Sequence, residues 1–352
     1  MTHAADRSPL PLYLAAAYTL LAVYGSLYPW SGWHDSGAPI SAFLFAAWPR
    51  YYTSFDLTAN VVAYVPFGFL GVTAMLPRLG APGAVFVATV FGFALSLAME
   101  SLQHYLPSRV PSNVDLACNA AGAMLGALGG ARWGAMLLDG GRLHALRQKL
   151  LMRGRAGDWG LVLLGLWLVS QLNPVILLFG NGDLHTMLEL PTPLHYSADR
   201  FAKIEGIAVC AHTLAIALIA GRITPSAPHR AAFAMIMLGL IIKTAALLLL
   251  MQGAQGLAWA TPGSLSGLFA GVVLWLIVAR TPAFLRQALA ALALLFATVL
   301  VNLTPDNPYL INTQHIWTAG AFLNFNGLTR LTSSLWPFLA LPWLFLLRPR
   351  HE

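Results

Sequence analysis

The sequence predicts an all-α fold, a polytopic transmembrane helical bundle of about ten spans with both termini in the cytoplasm. Of the 352 residues, 58% are hydrophobic and only 9% are charged. The mean hydropathy of +0.68 is far above that of a soluble domain of average composition. The apolar residues form continuous runs rather than strict alternation, and a lipid-exposed segment satisfies its own backbone hydrogen bonds as a helix.

A helix rises about 1.5 Å per residue against a hydrocarbon core of about 30 Å, so runs of roughly 20 apolar residues read as spans. They lie near 10–29, 57–76, 82–105, 114–138, 159–179, 202–221, 231–251, 263–279, 283–301 and 329–347. The first runs into "YGSLYPWSG" without a small-residue cleavage pattern and reads as a retained anchor. Residues 30–56, with "WSGW" and "AFLFAAWPRYY", read as an interfacial amphipathic segment. Pro66 and Gly68 loosen the second span. The interruptions 30–56, 139–158, 180–200 and 302–326 are each too short to bury a separate core.

Basic residues set the orientation, because short cytoplasmic loops retain them. The strongest marker is "GGRLHALRQKLLMRGRAGD", with Arg142, Arg147, Lys149, Arg153 and Arg155. Arg7, Arg78, Arg222, Arg230, Arg280, Arg348 and Arg350 fall on the same side of an alternating ten-span chain. The net charge of +7 is thereby an orientation device that also suits anionic lipid. It is split among loops without an aromatic-interleaved stripe, so no nucleic-acid partner is expected.

Three regions follow: 1–140, a four-helix membrane domain; 141–158, a basic cytoplasmic linker; and 159–352, a six-helix membrane domain. Sliding the chain by 149 positions aligns "DLACNAAG" (115–122) with "SLSGLFAG" (264–271) and Gln103 with Gln252, while Glu100 falls on Leu249. This pattern is that of a degenerate repeat whose second copy lost its acidic groups. Cys118 and Cys210 fall inside spans and read as buried thiols rather than a disulfide framework. Lys243 lies mid-span, where an ammonium needs a partner, and Glu205 is the candidate. The loop "NLTPDNPYLINTQHIWTAGAFLNFNG" either caps a site or lies along the interface.

The chemistry concentrates in "MESLQHYLPSRVPSNVDLACNAAG", residues 99–122. Glu100, Gln103 and His104 are spaced i, i+3, i+4 and share one face of the third span. Asn113 caps the fourth, whose stripe of Asp115, Asn119, Gly122 and Gly126 also faces one way. The short turn makes these spans antiparallel neighbours, brings Glu100 to Asp115, and aims Arg109 back at both carboxylates. Asp56 and Asn60, again i, i+4, approach the same surface from the second span. Gly122, Gly126 and Gly130 form a ladder for close helix packing, within the chain or against a second copy or another envelope protein. Charges in the apolar zone cost several kcal/mol and are usually paired or functional. Two readings therefore stand side by side, an ion pair of Arg109 with Glu100 or Asp115 that holds the hairpin shut, and a polar site.

These residues also carry a resemblance. N-x5-P-x-G in "NVVAYVPFG", E-x-x-Q in "ESLQ", P-x-R in "PSR" and D-x3-N-x2-G-x3-G in "DLACNAAGAMLG" occur in the order found in the VanZ-like family of bacterial membrane proteins, over about residues 10–140. The resemblance places the family motif on Asn60, Pro66, Gly68, Glu100, Gln103, Arg109, Asp115, Asn119, Gly122 and Gly126. The extra proline in "RVPSNVD" is a departure from it. It implies a multi-pass protein of the bacterial cytoplasmic (inner) membrane linked to glycopeptide (teicoplanin-type) tolerance.

No phosphate loop, paired-Cys spacing, H-E-x-x-H or G-x-S-x-G occurs, although "GSLSG" at 263–267 is a near miss, and no cofactor or metal is expected. An intramembrane protease of the CAAX type calls for adjacent Glu residues, and "MES" supplies one. Whether the chain is an enzyme stays open, with Glu100, Arg109 and Asp115 as candidate catalytic residues and Asn60, Gln103, His104 and Asn119 as candidate ligand-binding residues. The expected ligand is a membrane lipid or lipid-linked envelope precursor held in an outward-facing pocket. The alternatives are a transporter or lipid-moving protein, or a non-catalytic assembly subunit.

Overall fold

The computed structural model describes residues 9–48, 54–134, 136, 145–146, 149–188, 194–250, 256–305 and 323–347. Among these there is no strand, and nine α-helices have sixteen residues or more. They are α1 (Leu10–Leu27), α2 (Ser54–Gln103), α3 (Asn113–Gly134), α4 (Arg155–Ser170), α5 (Ala198–Ile223), α6 (Pro228–Leu250), α7 (Pro262–Val278), α8 (Ala283–Leu303) and α9 (Leu323–Leu346).

Among the described residues six helices are long and apolar enough to cross a membrane: α1, the Asp56–Gln103 part of α2, α3, α5, α6 up to Leu249, and α8. The sequence suggested about ten spans. Two of those runs, 57–76 and 82–105, lie in the single 50-residue α2, whose one non-helical residue is Gly80 at φ 65° and ψ 173°. Glycine adopts this positive φ without a Cβ penalty, and Pro82 starts the second arm with a preset φ. A third run, 159–179, stops being helical at Ser170, shortly before Asn173-Pro174. A fourth, 263–279, forms a helix of only 17 residues, and the last, 329–347, falls on α9, which is not among the six. Large apolar side chains such as Phe45 (87% exposed), Leu249 (81%) and Leu20 (71%) point outward, as a lipid-facing surface requires. The termini, Arg7, Arg142, Arg147, Gln252, Arg348, Arg350 and most of the late loop lie outside the described residues, and with them much of the expected orientation signal.

The chain divides into two compact units, Met1–Lys149 with Leu323–Leu328, and Leu150–Phe322 with Thr329–Glu352. In the first, the two arms of α2 and α3 pack tightly. Its apolar core is small, with Val72, Ala84, Ala88 and Ala127 at one level and Leu27, Met99 and Leu106 at another. Small residues allow this approach. A Cβ on Gly122, Gly126 or Gly130 would fall on the carbonyl of Val61, Val65 or Phe69, and one on Gly68 would fall on that of Ala123. In lipid, where apolar area gives no driving force between helices, such close backbone packing holds a bundle together.

In the second unit α5 is the central helix, and its core includes Val209, Ile216, Ile219, Trp167, Phe179, Leu294 and Trp336. Two indole N–H groups of α9 anchor it to α4, Trp336 to the Leu163 carbonyl at 2.8 Å and Trp343 to that of Ala156 at 2.8 Å.

Candidate functional site

The polar groups of the first unit gather where the ends of α2 and α3 meet. Asp56 is the third residue of α2, Asp115 the third of α3, and Glu100 lies three residues before α2 ends. Ser112, rather than Asn113, caps α3: its Oγ accepts from the Val114 and Asp115 amides at 3.2 and 3.3 Å. The side chain of Asn113 instead reaches the Ala46 carbonyl at 2.8 Å. The Ser112 amide donates to Glu100 Oε2 at 2.8 Å, tying that carboxylate, 4% exposed, to the positive end of α3.

Asp115 bonds to the Asn60 side chain and lies within Coulombic reach of Asp56 and Glu100. Below this layer Asn119 Nδ2 donates to Ser96 Oγ at 2.9 Å, and Ser96 also bonds Tyr64. Asn119 Oδ1 is buried with no hydrogen-bond partner. The candidates Glu100, Asp115, Asn60 and Asn119 are therefore brought together.

The other candidates are turned to the scaffold. Gln103 Nε2 donates to the Ser26 carbonyl at 2.7 Å, and His104 Nε2 pairs with Ser36 Oγ at 3.2 Å. The Arg109 guanidinium, expected to pair with a carboxylate, donates from Nε and Nη2 to the Tyr28 carbonyl at 3.2 and 2.6 Å. That carbonyl belongs to the C-cap of α1, where an unpaired acceptor and the helix dipole both favour a cation. Burial pushes the Arg109 guanidinium below its ordinary value, and nearby Glu100 opposes the shift. Tyr64 and Ser96 were missed, although each continues a four-residue stride, Asp56–Asn60–Tyr64 and Ser96–Glu100.

A strap, residues 28–48, lies over the α2–α3 turn. The His34 amide donates to the Tyr105 carbonyl at 3.0 Å, adding to the Ser36 and Ala46 contacts. Its only helix is the 3-10 turn Ala42–Phe45, not the longer amphipathic segment expected. It carries Trp30, Trp33 and Trp48 exposed.

The second unit holds a different polar feature. Residues 171–182, after α4, are non-helical yet mostly buried. Side chains of three helices and a main-chain carbonyl of a fourth satisfy this backbone. Lys243 of α6 donates to the Asn173 and Ile176 carbonyls at 2.6 and 2.7 Å, which replaces the expected pairing with Glu205. His212 Nε2 of α5 receives the Asn181 amide at 3.1 Å, Asn302 of α8 holds the Gly182 carbonyl at 2.7 Å, and the Ser333 carbonyl of α9 receives the Gly182 amide at 2.7 Å. Gln171 Oε1 and Asn181 Oδ1 remain buried without partners. Glu205 accepts from Thr261 Oγ1 at 2.7 Å and Ser264 Oγ at 2.9 Å. Cys118 and Cys210 are free thiols, and both are half-buried rather than buried as expected.

No curated protein and no solved structure matches the chain. A family model does: residues 12–133 match VanZ/LLP1. The matched segment holds the α2–α3 polar end, the glycine ladder and Arg109, and covers 122 of the 352 residues. The N-terminal part of this apolar, helical chain thus carries the VanZ-type resemblance that its motifs suggested, which fits a membrane protein of that type.

Proposed function

We propose that the first unit binds the polar headgroup of a lipid or lipid-linked envelope precursor at the outer face of a bacterial cytoplasmic membrane, and that this binding underlies tolerance of teicoplanin-type glycopeptides. The observation that carries the reading is the convergence of Glu100, Asp115, Asn60 and Asn119 at one end of the α2–α3 hairpin. Charged groups at helix ends stand at headgroup depth, and the Trp-bearing strap above them suits the same zone. The orientation rests on the basic residues assigned to the other side.

Glu100→Gln and Asp115→Asn keep size and remove charge, and Arg109→Gln removes the guanidinium. Each variant is expected to insert normally, to purify without the lipid that accompanies the wild type in mass spectrometry, and to lose any glycopeptide tolerance that expression confers. Wild-type lipid content and tolerance in all three would sink the reading.

A second reading, transport, is favoured by the buried non-helical segment with Lys243. Discontinuous helices whose free carbonyls hold a cation are the usual architecture of ion-coupled transporters. Uptake into vesicles that is lost in Lys243→Met but kept in Glu100→Gln would favour it.

A further inference from the structure

The hydrogen-bond inventory of the first polar end is one-sided. Three of its donor groups are engaged: the Ser112 amide with Glu100, the Asn60 side chain with Asp115, and the Asn119 side-chain amide with Ser96. What it offers a ligand is chiefly acceptors. The Glu100 and Asp115 carboxylates stand near each other. Asn119, one turn below Asp115 and only 6% exposed, has an unpartnered carbonyl oxygen. Carboxylates and an orphan amide oxygen together call for a cation rich in N–H donors.

A further fact defines its surroundings. Arg109 uses two of its N–H groups on Tyr28. A guanidinium has five, so it keeps donors for an anion beside the acceptor cluster. We propose that the ligand is a zwitterion of the phosphoethanolamine kind, its primary ammonium on Glu100, Asp115 and the Asn119 carbonyl and its phosphate towards Arg109. The proposal rests on the headgroup reading and names the headgroup.

The full-length wild-type protein, stripped of lipid in detergent, is titrated with phosphatidylethanolamine, phosphatidylcholine, phosphatidylglycerol and soluble phosphoethanolamine, with binding read by native mass spectrometry. Phosphatidylethanolamine is expected to bind about tenfold tighter than phosphatidylcholine, whose quaternary ammonium lacks N–H donors, and tighter than phosphatidylglycerol; this is the effect of losing one hydrogen bond to a charged group. Asp115→Asn and Glu100→Gln should each erase the preference. Phosphoethanolamine binding as tightly as the lipid would assign the site to a free metabolite of the same chemistry. Equal binding of all three lipids, or a preference for phosphatidylglycerol, overturns the proposal and leaves the headgroup reading intact. Binding of none of them overturns both.

A separate observation concerns the second unit. Its glycines 263, 267 and 271 approach the carbonyls of Ala202, Gly206 and Cys210, as glycines 122, 126 and 130 approach those of Val61, Val65 and Phe69 in the first. Every one of these six pairs is 61 residues apart, and the pair 61/122 maps onto 210/271 by a shift of 149. The same shift carries Asp56 to Glu205, the cap Ser112 to the cap Thr261, and Asp115 to Ser264. It also carries the start of α3, Asn113, to Pro262, the start of α7. We infer that α4 to α7 repeat the plan of α1 to α3, and that Glu205 with Thr261 and Ser264 is the second unit's version of the polar end, with one carboxylate kept.

A helix exchange tests register rather than mere smallness. Residues 113–129 placed at 262–278 are expected to yield inserted, monodisperse protein, and the same segment moved by two residues is expected to aggregate. Equal behaviour of the two chimaeras, or failure of both, overturns the inference.

Discussion

Gly126→Val is expected to prevent the first unit from assembling. The Cβ would fall on the Val65 carbonyl, which is backbone and cannot rotate away, so the first arm of α2 and α3 must separate. Overpacking of a well-packed core costs about 1–3 kcal/mol, and this site belongs at or above the top of that range because nothing flexible yields. Against a total stability of about 5–15 kcal/mol, most of the purified protein should aggregate or melt early. Gly129, one turn away, has only ordinary contacts to Trp133 and Phe69. Gly129→Ala should therefore be neutral or stabilising by about 0.5–1 kcal/mol, as for glycine in a helix interior. Size-exclusion and thermal melting in detergent compare the two, and similar melting would show that the ladder does not control assembly.

Lys243→Met is expected to loosen the second unit locally. The change leaves the carbonyls of Asn173 and Ile176 buried without their donor, at about 1–3 kcal/mol each. Relief of burying an ammonium offsets part of this. The carbonyls win, because the segment is non-helical and has no ladder of its own to return to, and the net loss is about 2 kcal/mol. Amide hydrogen exchange in 171–182 should then accelerate by about thirtyfold, with α5 little changed. Lys203→Ala is the control. That ammonium meets Asp199 at 2.7 Å, but both side chains are largely exposed, so the loss should stay within about 0.5 kcal/mol. Unchanged exchange in 171–182 would rule out Lys243 as the clasp.

The helical hairpin was legible because a three- and four-residue stride leaves a mark in residue types. Glu100 and Asp115 do meet near one end of α2 and α3, and the glycine ladder does lie against a neighbouring helix. The partners of the two cations were not legible. Arg109 and Lys243 both hold backbone carbonyls, and every residue has one, so no side chain advertises the acceptor. The choice between Ser112 and Asn113 as cap was equally hidden, since both residue types cap helices well. The segment 171–182 hid for a different reason. Its "VILLFG" is as apolar as any span, and only Asn173-Pro174 marks the place where the helix does not continue.

Gly80 turns the chain with a single residue, so the two arms of α2 have no loop in which to absorb a change of length. Asn60 stands twenty residues before it and Glu100 twenty after. Each distance, at about 1.5 Å per residue, is about 30 Å, one hydrocarbon thickness. The hairpin is in this sense a gauge: it sets the depth of the polar groups by counting residues from its bend, and the bilayer sets how long the count must be.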